Sequence, residues 1–454
     1  MSVIWNKIVA FFTTIFVWIA SLFGVSAPCG EQGYKVKAEA FDVMTEAYGL
    51  PDVTFGKEVG AFTSSGGTMV GRFEDTTGAD FDAYLAALAD AGFETYDARS
   101  IEENRFATLV TDETCVNVYR FANTGTLRVV AEPRGTLPPL TDDCENLCAP
   151  LLTGMKGETV VAAEGMGYII RLADGSFIII DGGMGDPDHV DSDKLMNILR
   201  EQSLPGTGKP VVAAWIFSHL HGDHIGVFNC FSLDHHDDVV IEKLIFNFPC
   251  EEETAASDSP YMLDDTIYRY TQFKKNLADF YADVPVIKVH TGNRFAVRDA
   301  QFDVLYTLED LYPASILDGG MNECSLLLKM TLDGQTFLWT GDFAFLATDL
   351  VLSEYGDTLS CDFLQMAHHG FNGTVPFYAA VDPAYALLPV WEGGYDEMMS
   401  RPQNQWLARS PNLKQMIVTA FGTWTISLPY APSDGTPRLP DGSAYPAYPA
   451  LLGQ

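Results

Sequence analysis

The stretch Val211 to Gly226, VVAAWIFSHLHGDHIG, constrains this chain more than any other. Its apolar run, Val211 to Phe217, has the length and β-branched character of a buried strand, and it stops abruptly in Ser218, His219, Leu220, His221, Gly222, Asp223 and His224. Polar side chains therefore gather at a strand's carboxyl end. In an extended or turning segment His219 and His221 point the same way, while Gly222 lets the chain bend so that Asp223 and His224 face a neighbouring point. Neutral imidazole and carboxylate are ligands that zinc accepts, and a site left open at one position activates water. A turn satisfied by hydrogen bonds is the plainer reading, but the spacing His-x-His-x-Asp-His is demanding and favours two metals.

SHLHGDHIG resembles the signature of the metallo-beta-lactamase fold superfamily, and the resemblance runs over roughly residues 155 to 430 in ordered blocks. FIIIDGG (Phe177 to Gly183) lies upstream; NECSLLLKM, FLWTGD (Phe337 to Asp342) and DFLQMAHHG (Asp362 to Gly370) lie downstream. The later blocks are most similar to the hydrolase domain of the DNA-uptake competence protein and its stand-alone relatives. The resemblance implies an αββα sandwich with a dinuclear zinc site at one edge. It gives His219, His221 and a bridging Asp342 to the first metal, and Asp223, His224, Asp342 and His369 to the second. Asp181 would hydrogen-bond a ligand imidazole, and His368 would support its neighbour or touch the leaving group. The reverse assignment of His368 and His369 stays open, since only one side of a strand end faces the metals. One departure stands out. No His lies between His290 and His368, where most dinuclear members carry a ligand; Asn322, in GGMNECS, stands in that neighbourhood and would orient a bound water or the substrate. The first zinc then binds weakly or exchangeably, although the competence-type branch shows the same substitution.

A chain of 454 residues exceeds one typical domain. Its 27 basic and 61 acidic residues give a net charge of -34, a surface that repels polyanions and argues against long nucleic acid as a partner. Ile8 to Ala27 carries no charge, follows Lys7 and is about long enough to cross a bilayer. It ends in small residues of the kind a signal peptidase accepts, although Pro28 argues against cleavage directly after Ala27. Residues 1–28 thus read as a signal peptide or a membrane anchor, and the chain as exported, either extracellular or anchored on the outer face. The 8 cysteines fit an oxidising compartment, with Cys144 and Cys148 the favoured bridge or bridge partners.

Residues 34–133 read as a small α+β domain. Asp80 is the expected cap of a helix whose Phe81, Tyr84, Leu85 and Leu88 recur at helical spacing and whose end is Gly92. Strands follow at Asn104 to Thr111, Thr114 to Ala122 and Thr126 to Ala131, the last two joined by an Asn123-Thr124-Gly125 hairpin turn. No reactive constellation occurs there, which makes a spacer or binding module the default. Residues 134–152 form a Pro-rich linker, with Asp142, Asp143 and Glu145 in a solvated acidic turn.

Residues 153–430 alternate strands and helices, which argues α/β layers. Expected strands are Thr159 to Ala163, Gly167 to Leu172, Ser176 to Ile180, Val239 to Phe248 and Gln335 to Thr340; expected helices are Asp191 to Gln202 and Leu263 to Ala282. Asp181 is a carboxylate at a strand end, costly unless paired. Gly341 frees the backbone so that Asp342 reaches the metals. His235 and His236 read as a solvated loop, and His290 as a satisfied structural histidine. After a strand at Ala384 to Val390, WEGGYDEMMSRPQNQW reads as a loop in which Trp391, Tyr395, Met398, Met399 and Arg401 form a candidate substrate rim; Arg401 is a cation suited to an anionic group. Strands Gln415 to Ala420 and Trp424 to Leu428 close the sheet, and residues 431–454 form an irregular tail.

The expected chemistry is hydrolysis. Two zinc ions about 3.5–4 Å apart supply hydroxide at neutral pH, Asp223 steers the proton, and His368 or water protonates the leaving group. The favoured substrate is a phosphodiester on a small or cell-envelope molecule. A carboxylic ester, lactone or lactam is the alternative, and an exported metal-containing binding or scaffold protein without turnover is an alternative of another class.

Overall fold

The computed structural model describes residues 37–431 except 65, 158–164 and 258–261. The expected signal or anchor at 1–28, the strand Thr159 to Ala163 and residues 432–454 of the tail lie outside the described residues. Among the described residues no helix is long and apolar enough to cross a membrane.

The first part of the chain builds an antiparallel sheet. Strands β1 (Lys37–Glu39), β2 (Lys57–Thr63), β3 (Met69–Glu74), β4 (Glu94–Ile101), β5 (Asn104–Val110), β6 (Thr114–Phe121) and β7 (Thr126–Pro133) take the order β1-β2-β3-β7-β6-β5-β4. Alternation decides its two faces. Leu127, Val129 and Ala131 of β7 pack with Phe41 and Met44 of helix α1 (Phe41–Tyr48) and with Phe81, Tyr84 and Leu88 of helix α2 (Gly78–Asp90), whereas Val130 turns into the core of the following sheets. The cap of α2 is Thr77, not Asp80. Thr77 Oγ1 accepts from the Asp80 amide while the Asp80 carboxylate accepts from the Thr77 amide at 2.7 Å, a reciprocal capping box.

The rest of the chain forms two further sheets, from β8 (Leu151–Gly154), β9 (Gly167–Arg171), β10 (Phe177–Asp181), β11 (Val211–Ile216), β12 (Val240–Ile241), β13 (Leu244–Phe246), β14 (Val286–Lys288), β15 (Arg294–Val297), β16 (Ala300–Tyr306), β17 (Leu327–Leu332), β18 (Gln335–Trp339), β19 (Phe363–Gln365), β20 (Tyr385–Leu388), β21 (Gln415–Val418) and β22 (Trp424–Ser427). The second sheet runs β14-β13-β11-β10-β9-β8-β22, with β12 also on β11, and the third runs β15 to β21 in sequence order. Both have an antiparallel half and a parallel half; β10, β11, β13 and β14 are mutually parallel in one, β18 to β21 in the other.

Ile178 and Ile180 of β10 share a core with Phe337 and Trp339 of the facing sheet, and the rings of Tyr168 and Trp339 meet at 5.0 Å. Phe177 and Ile179 point the other way, under Leu195 and Leu199 of helix α3 (Val190–Gln202), Phe228 and Phe231 of helix α4 (Gly222–His235), and Phe273 of helix α5 (Leu263–Phe280). Val351 and Tyr355 of helix α6 (Phe345–Tyr355) and Phe377 and Val381 of helix α7 (Val375–Val381) pack with the third sheet. The architecture is an αββα sandwich preceded by a small α+β unit.

Several expectations change. The strand expected over Val239 to Phe248 is two short pieces, and the last strand leaves the third sheet to pair with β8 at the edge of the second. WEGGYDEMMSRPQNQW is helical at Tyr395–Ser400 and Pro402–Ala408, with Met398 and Met399 in the core, because apolar side chains there find a buried face. His235 ends α4, pairing with Asp193 at 2.9 Å, and His236 caps the helix and stacks on Phe280. Cys144 and Cys148 are both free thiols; the first faces Asp299 and the second the carbonyls of Leu172 and Ala173. Asp142 is not simply solvated, since Arg298 and Lys243 reach it at 3.2 and 3.4 Å.

A buried polar seam joins the small sheet to the sandwich. Arg128 lies 2.7 Å from Glu354 and 3.8 Å from Asp310, while Arg72 donates to the carbonyls of Glu309 and Asp310. His290 sits between Glu132 of β7, hydrogen-bonded at 2.8 Å, and Glu309, an ion-pair distance of 3.3 Å away, the structural role expected of it. Removing one partner from such a buried pair costs about 3–5 kcal/mol, because the other charge is then stranded.

Candidate metal centre

Parallel strands deliver their carboxyl ends to one edge of the sandwich, where open α/β sheets place their sites. There β10 ends in Asp181, β11 leads into Ser218 and His219, β18 leads into Asp342, and β19 leads into His368 and His369. Asp223 and His224 arrive differently from expectation. Gly222 does not bend an extended segment; it opens α4, with His221 as the cap, so the helix's first turn presents both side chains. A Cβ there would lie 2.5 Å from Arg269 Nε, so a larger residue would require the Arg269 side chain to move. At Gly341 the backbone is of the kind expected. Its φ of 53° suits glycine, and a Cβ would meet the Ser218 side chain at 2.7 Å.

The side chains fall into two donor sets that share Asp342. Asp223, His224, Asp342 and His369 form one and His219, His221 and Asp342 the other, each with its ligand atoms within 4.8 Å of one another. In the first set His224 Nε2 is 3.1 Å and His369 Nε2 3.7 Å from Asp342 Oδ1, while Asp223 Oδ2 is 3.0 Å from His369 Nε2 and 3.8 Å from His224 Nε2. In the second, His219 Nε2 lies 3.8 Å from Asp342 Oδ2 and 3.1 Å from His221 Nδ1. Four donors about 2.1 Å from one cation stand about 3.4 Å apart in a tetrahedron, and these separations bracket that value.

Buried polarity tests the same reading. Asp342 is 1% exposed, is ringed by imidazoles, and neither of its carboxylate oxygens accepts a hydrogen bond. An unsatisfied buried carboxylate is costly, and cations on both its oxygens would remove the cost. The outer ring nitrogens are already held. His224 Nδ1 meets Asp181 Oδ2 at 2.8 Å, and His369 Nδ1 meets the Pro389 carbonyl at 2.6 Å, which aims both Nε2 atoms inward. Asp181 also accepts from the amide and hydroxyl of Ser218 at 2.7 and 2.9 Å. Burial, with His224 beside it, pushes the His219 imidazole well below its ordinary range, which favours the neutral ligand form. Burial pushes the Asp342 carboxyl up, but His224, His368 and His369 outweigh it and hold it well below the usual carboxylate range.

The remaining predicted residues lie around this cluster. His368 Nε2 is 3.5 Å from Asp342 Oδ2, with its side chain 30% exposed, and its Nδ1 is 3.3 Å from Asn322 Nδ2. Phe371 lies between His368, tilted against it at 5.2 Å, and Trp391, on which it stacks at 5.9 Å, and carries Arg401 over its ring at 4.6 Å. Arg401, the cation expected to suit an anionic group, pairs with Glu397 at 3.1 Å. Sequence reasoning missed Ser218, Phe371 and the Pro389 carbonyl. Ser218 borders the histidine run and Phe371 follows Gly370, so both were within reach, whereas a backbone carbonyl has no residue signature.

No family model and no curated protein matches the chain. Among solved structures it is similar to the metallo-beta-lactamase fold protein YhfI from Bacillus subtilis, with 13% identity over 59% of this chain and 95% of that one at a TM-score of 0.36. It is also similar to CmlA, a diiron beta-hydroxylase from Streptomyces venezuelae (12% identity, 57% of this chain, 45% of that one, TM-score 0.28), and to the flavodiiron protein from Giardia intestinalis (10%, 62%, 55%, 0.24). The chain spans about half the length of the last two. Superpositions this loose leave the sandwich to rest on its own strand order and layers.

Proposed function

We propose that this chain is a metal-dependent hydrolase that binds two divalent cations, zinc foremost, and cleaves a phosphodiester on a small or cell-envelope molecule. The observation that carries the reading is Asp342, a buried carboxylate without hydrogen bonds that stands between two sets of inward-facing donors. Cations held there would supply Lewis acidity and an activated water. His219, His221 and Asp342 would hold one, and Asp223, His224, Asp342 and His369 the other.

The chain's own groups set the rest. Asp181, Ser218 and the Pro389 carbonyl orient the imidazoles, so the donors need little reorganisation to bind. Asp223 is the one donor of its set with appreciable exposure, 14%, and would offer a carboxylate oxygen to steer a proton toward solvent. Phe371, Trp391 and the Glu397-paired Arg401 present an aromatic rim with a half-neutralised cation, suited to a monoanionic diester bearing an apolar group. The net charge of -34 favours small substrates over long polyanions. The uncharged run Ile8 to Ala27 is the ground for proposing export, extracellular or anchored on the outer face.

The test is a substrate panel on metal-loaded protein. Bis(p-nitrophenyl) phosphate should turn over faster than p-nitrophenyl acetate or a lactone, and His221→Ala should lower that turnover at least about a thousandfold. The opposite preference rejects the diester. Stoichiometric metal without turnover on any ester rejects the hydrolase.

A further inference from the structure

We infer that His368 is a ligand of the cation held by His219 and His221, taking the place of the histidine that this chain lacks before β17. The inference rests on the two-cation reading above. His219, His221 and Asp342 are the only protein donors otherwise available to that cation among the described residues. Asp342 Oδ2 belongs to this cation, since His219 Nε2 faces it at 3.8 Å, and His368 Nε2 approaches the same oxygen at 3.5 Å. Both separations are those of neighbouring donors around one ion. His368 Nε2 stays outside the tighter 4.8 Å set, so its ring completes the shell by a small inward movement, for which a 30% exposed side chain has room.

Two further observations point the same way. The backbone is shaped for His368. Both His368 and His369 occupy the left-handed region, with φ of 50° and 53°, a conformation that is unfavourable for non-glycine residues and clusters at functional sites. The His368 amide donates to the Gly341 carbonyl at 3.1 Å, tying this turn to the one that carries Asp342. The second observation is Asn322. Its Nδ2 faces His368 Nδ1 at 3.3 Å, while its Oδ1 is a buried oxygen with no hydrogen-bond partner. Exchanging the amide's oxygen and nitrogen, which are not distinguished by shape, lets Oδ1 accept from His368 Nδ1–H and leaves the Nε2 lone pair directed at Asp342. This is how a metal-bound imidazole is normally oriented from behind. Asn322 therefore acts as a positioning residue for the histidine that replaces the missing one.

Cobalt(II) titration of the full chain tests this, read by metal content and by the visible bands that report coordination number. Wild type should bind two Co(II). His368→Ala should bind one with unchanged affinity and the other at least tenfold more weakly, with altered bands. His368→Gly should regain the wild-type bands on adding free imidazole, and Asn322→Ala should weaken only the same ion. Two cobalt ions at wild-type affinity and spectrum in His368→Ala, even with turnover lost, overturn the inference and put His368 on the substrate. Wild type that binds no Co(II) or Zn(II) overturns the two-cation reading and the inference with it.

Discussion

Asp181 sits at 0% exposure in a left-handed conformation, φ 56°, and three donors converge on its carboxylate, two from Ser218 and one from His224. It touches no cation in the proposed scheme, yet it fixes which nitrogen of His224 faces inward. Asp181→Ala should therefore lower metal affinity about 10- to 100-fold, measured by competition with a chromophoric chelator, while Asp181→Asn, which keeps an acceptor oxygen, should lose less. That a carboxylate ending an apolar strand needs a partner was legible, and the resemblance implied an imidazole as that partner; that Ser218 supplies two of the three donors was not legible, since serine is common at strand ends. His290 makes a pH prediction. Burial pushes its imidazole down, but Glu132 and Glu309 outweigh it and hold it up at about 9. A raised folded value means that its stabilisation is complete below about 6.5, the unfolded value, and is lost as pH rises through about 9. The stability difference between wild type and His290→Gln, measured by urea unfolding, should shrink by on the order of 3 kcal/mol from pH 6.5 to 9.5. A pH-independent difference would contradict this.

Helix α4 owes its placement to glycine. A Cβ on Gly226 would fall 2.2 Å from the Gly185 amide nitrogen, and one on Gly185 would fall 2.4 Å from the Gly226 carbonyl oxygen. Backbone meets backbone there, and the contact is fastened by the Val227 amide on the Gly183 carbonyl at 3.0 Å and the Met166 amide on the Asp223 carbonyl at 2.9 Å. The start of α4 is thus pinned to the turn after β10, which sets where Asp223 and His224 stand. Gly226→Ala should destabilise by about 1–3 kcal/mol in thermal unfolding and weaken the cation held by Asp223 and His224 more than the one held by His219 and His221. Equal weakening of both would mean that the helix is not what positions the ligands. The sequence pattern singled out these residues but not the helix start, because no capping side chain marks it; His221 caps without a side-chain hydrogen bond. Strand β4 was missed for a related reason. It lies at a sheet edge, and its partly exposed residues Glu94, Asp97, Arg99 and Ser100 interrupt any apolar alternation.

At the scale of the molecule, the alternation of strands and helices argued only α/β layers, and it was the resemblance carried by the ordered blocks that implied a two-sheet sandwich. Two features depend on contacts distant in sequence and left no local trace. One is the crossing of β22 to the edge of the second sheet; the other is the seam of Arg72, Arg128, Asp310 and Glu354 beneath the small sheet. Metal removal should act on the whole chain. A hundredfold excess of cation over Kd adds about 3 kcal/mol to the folded state, so chelation should lower the midpoint of thermal unfolding by several degrees, and readdition should restore it. No shift would argue that no cation is resident. The donors divide unevenly between the layers: His219, His221, Asp223 and His224 follow a strand of one sheet, and Asp342, His368 and His369 follow strands of the other. A bound ion is then a clasp across the lips of a clam, and stripping it should let amide hydrogens at those lips exchange with deuterium while the opposite rim keeps its protection.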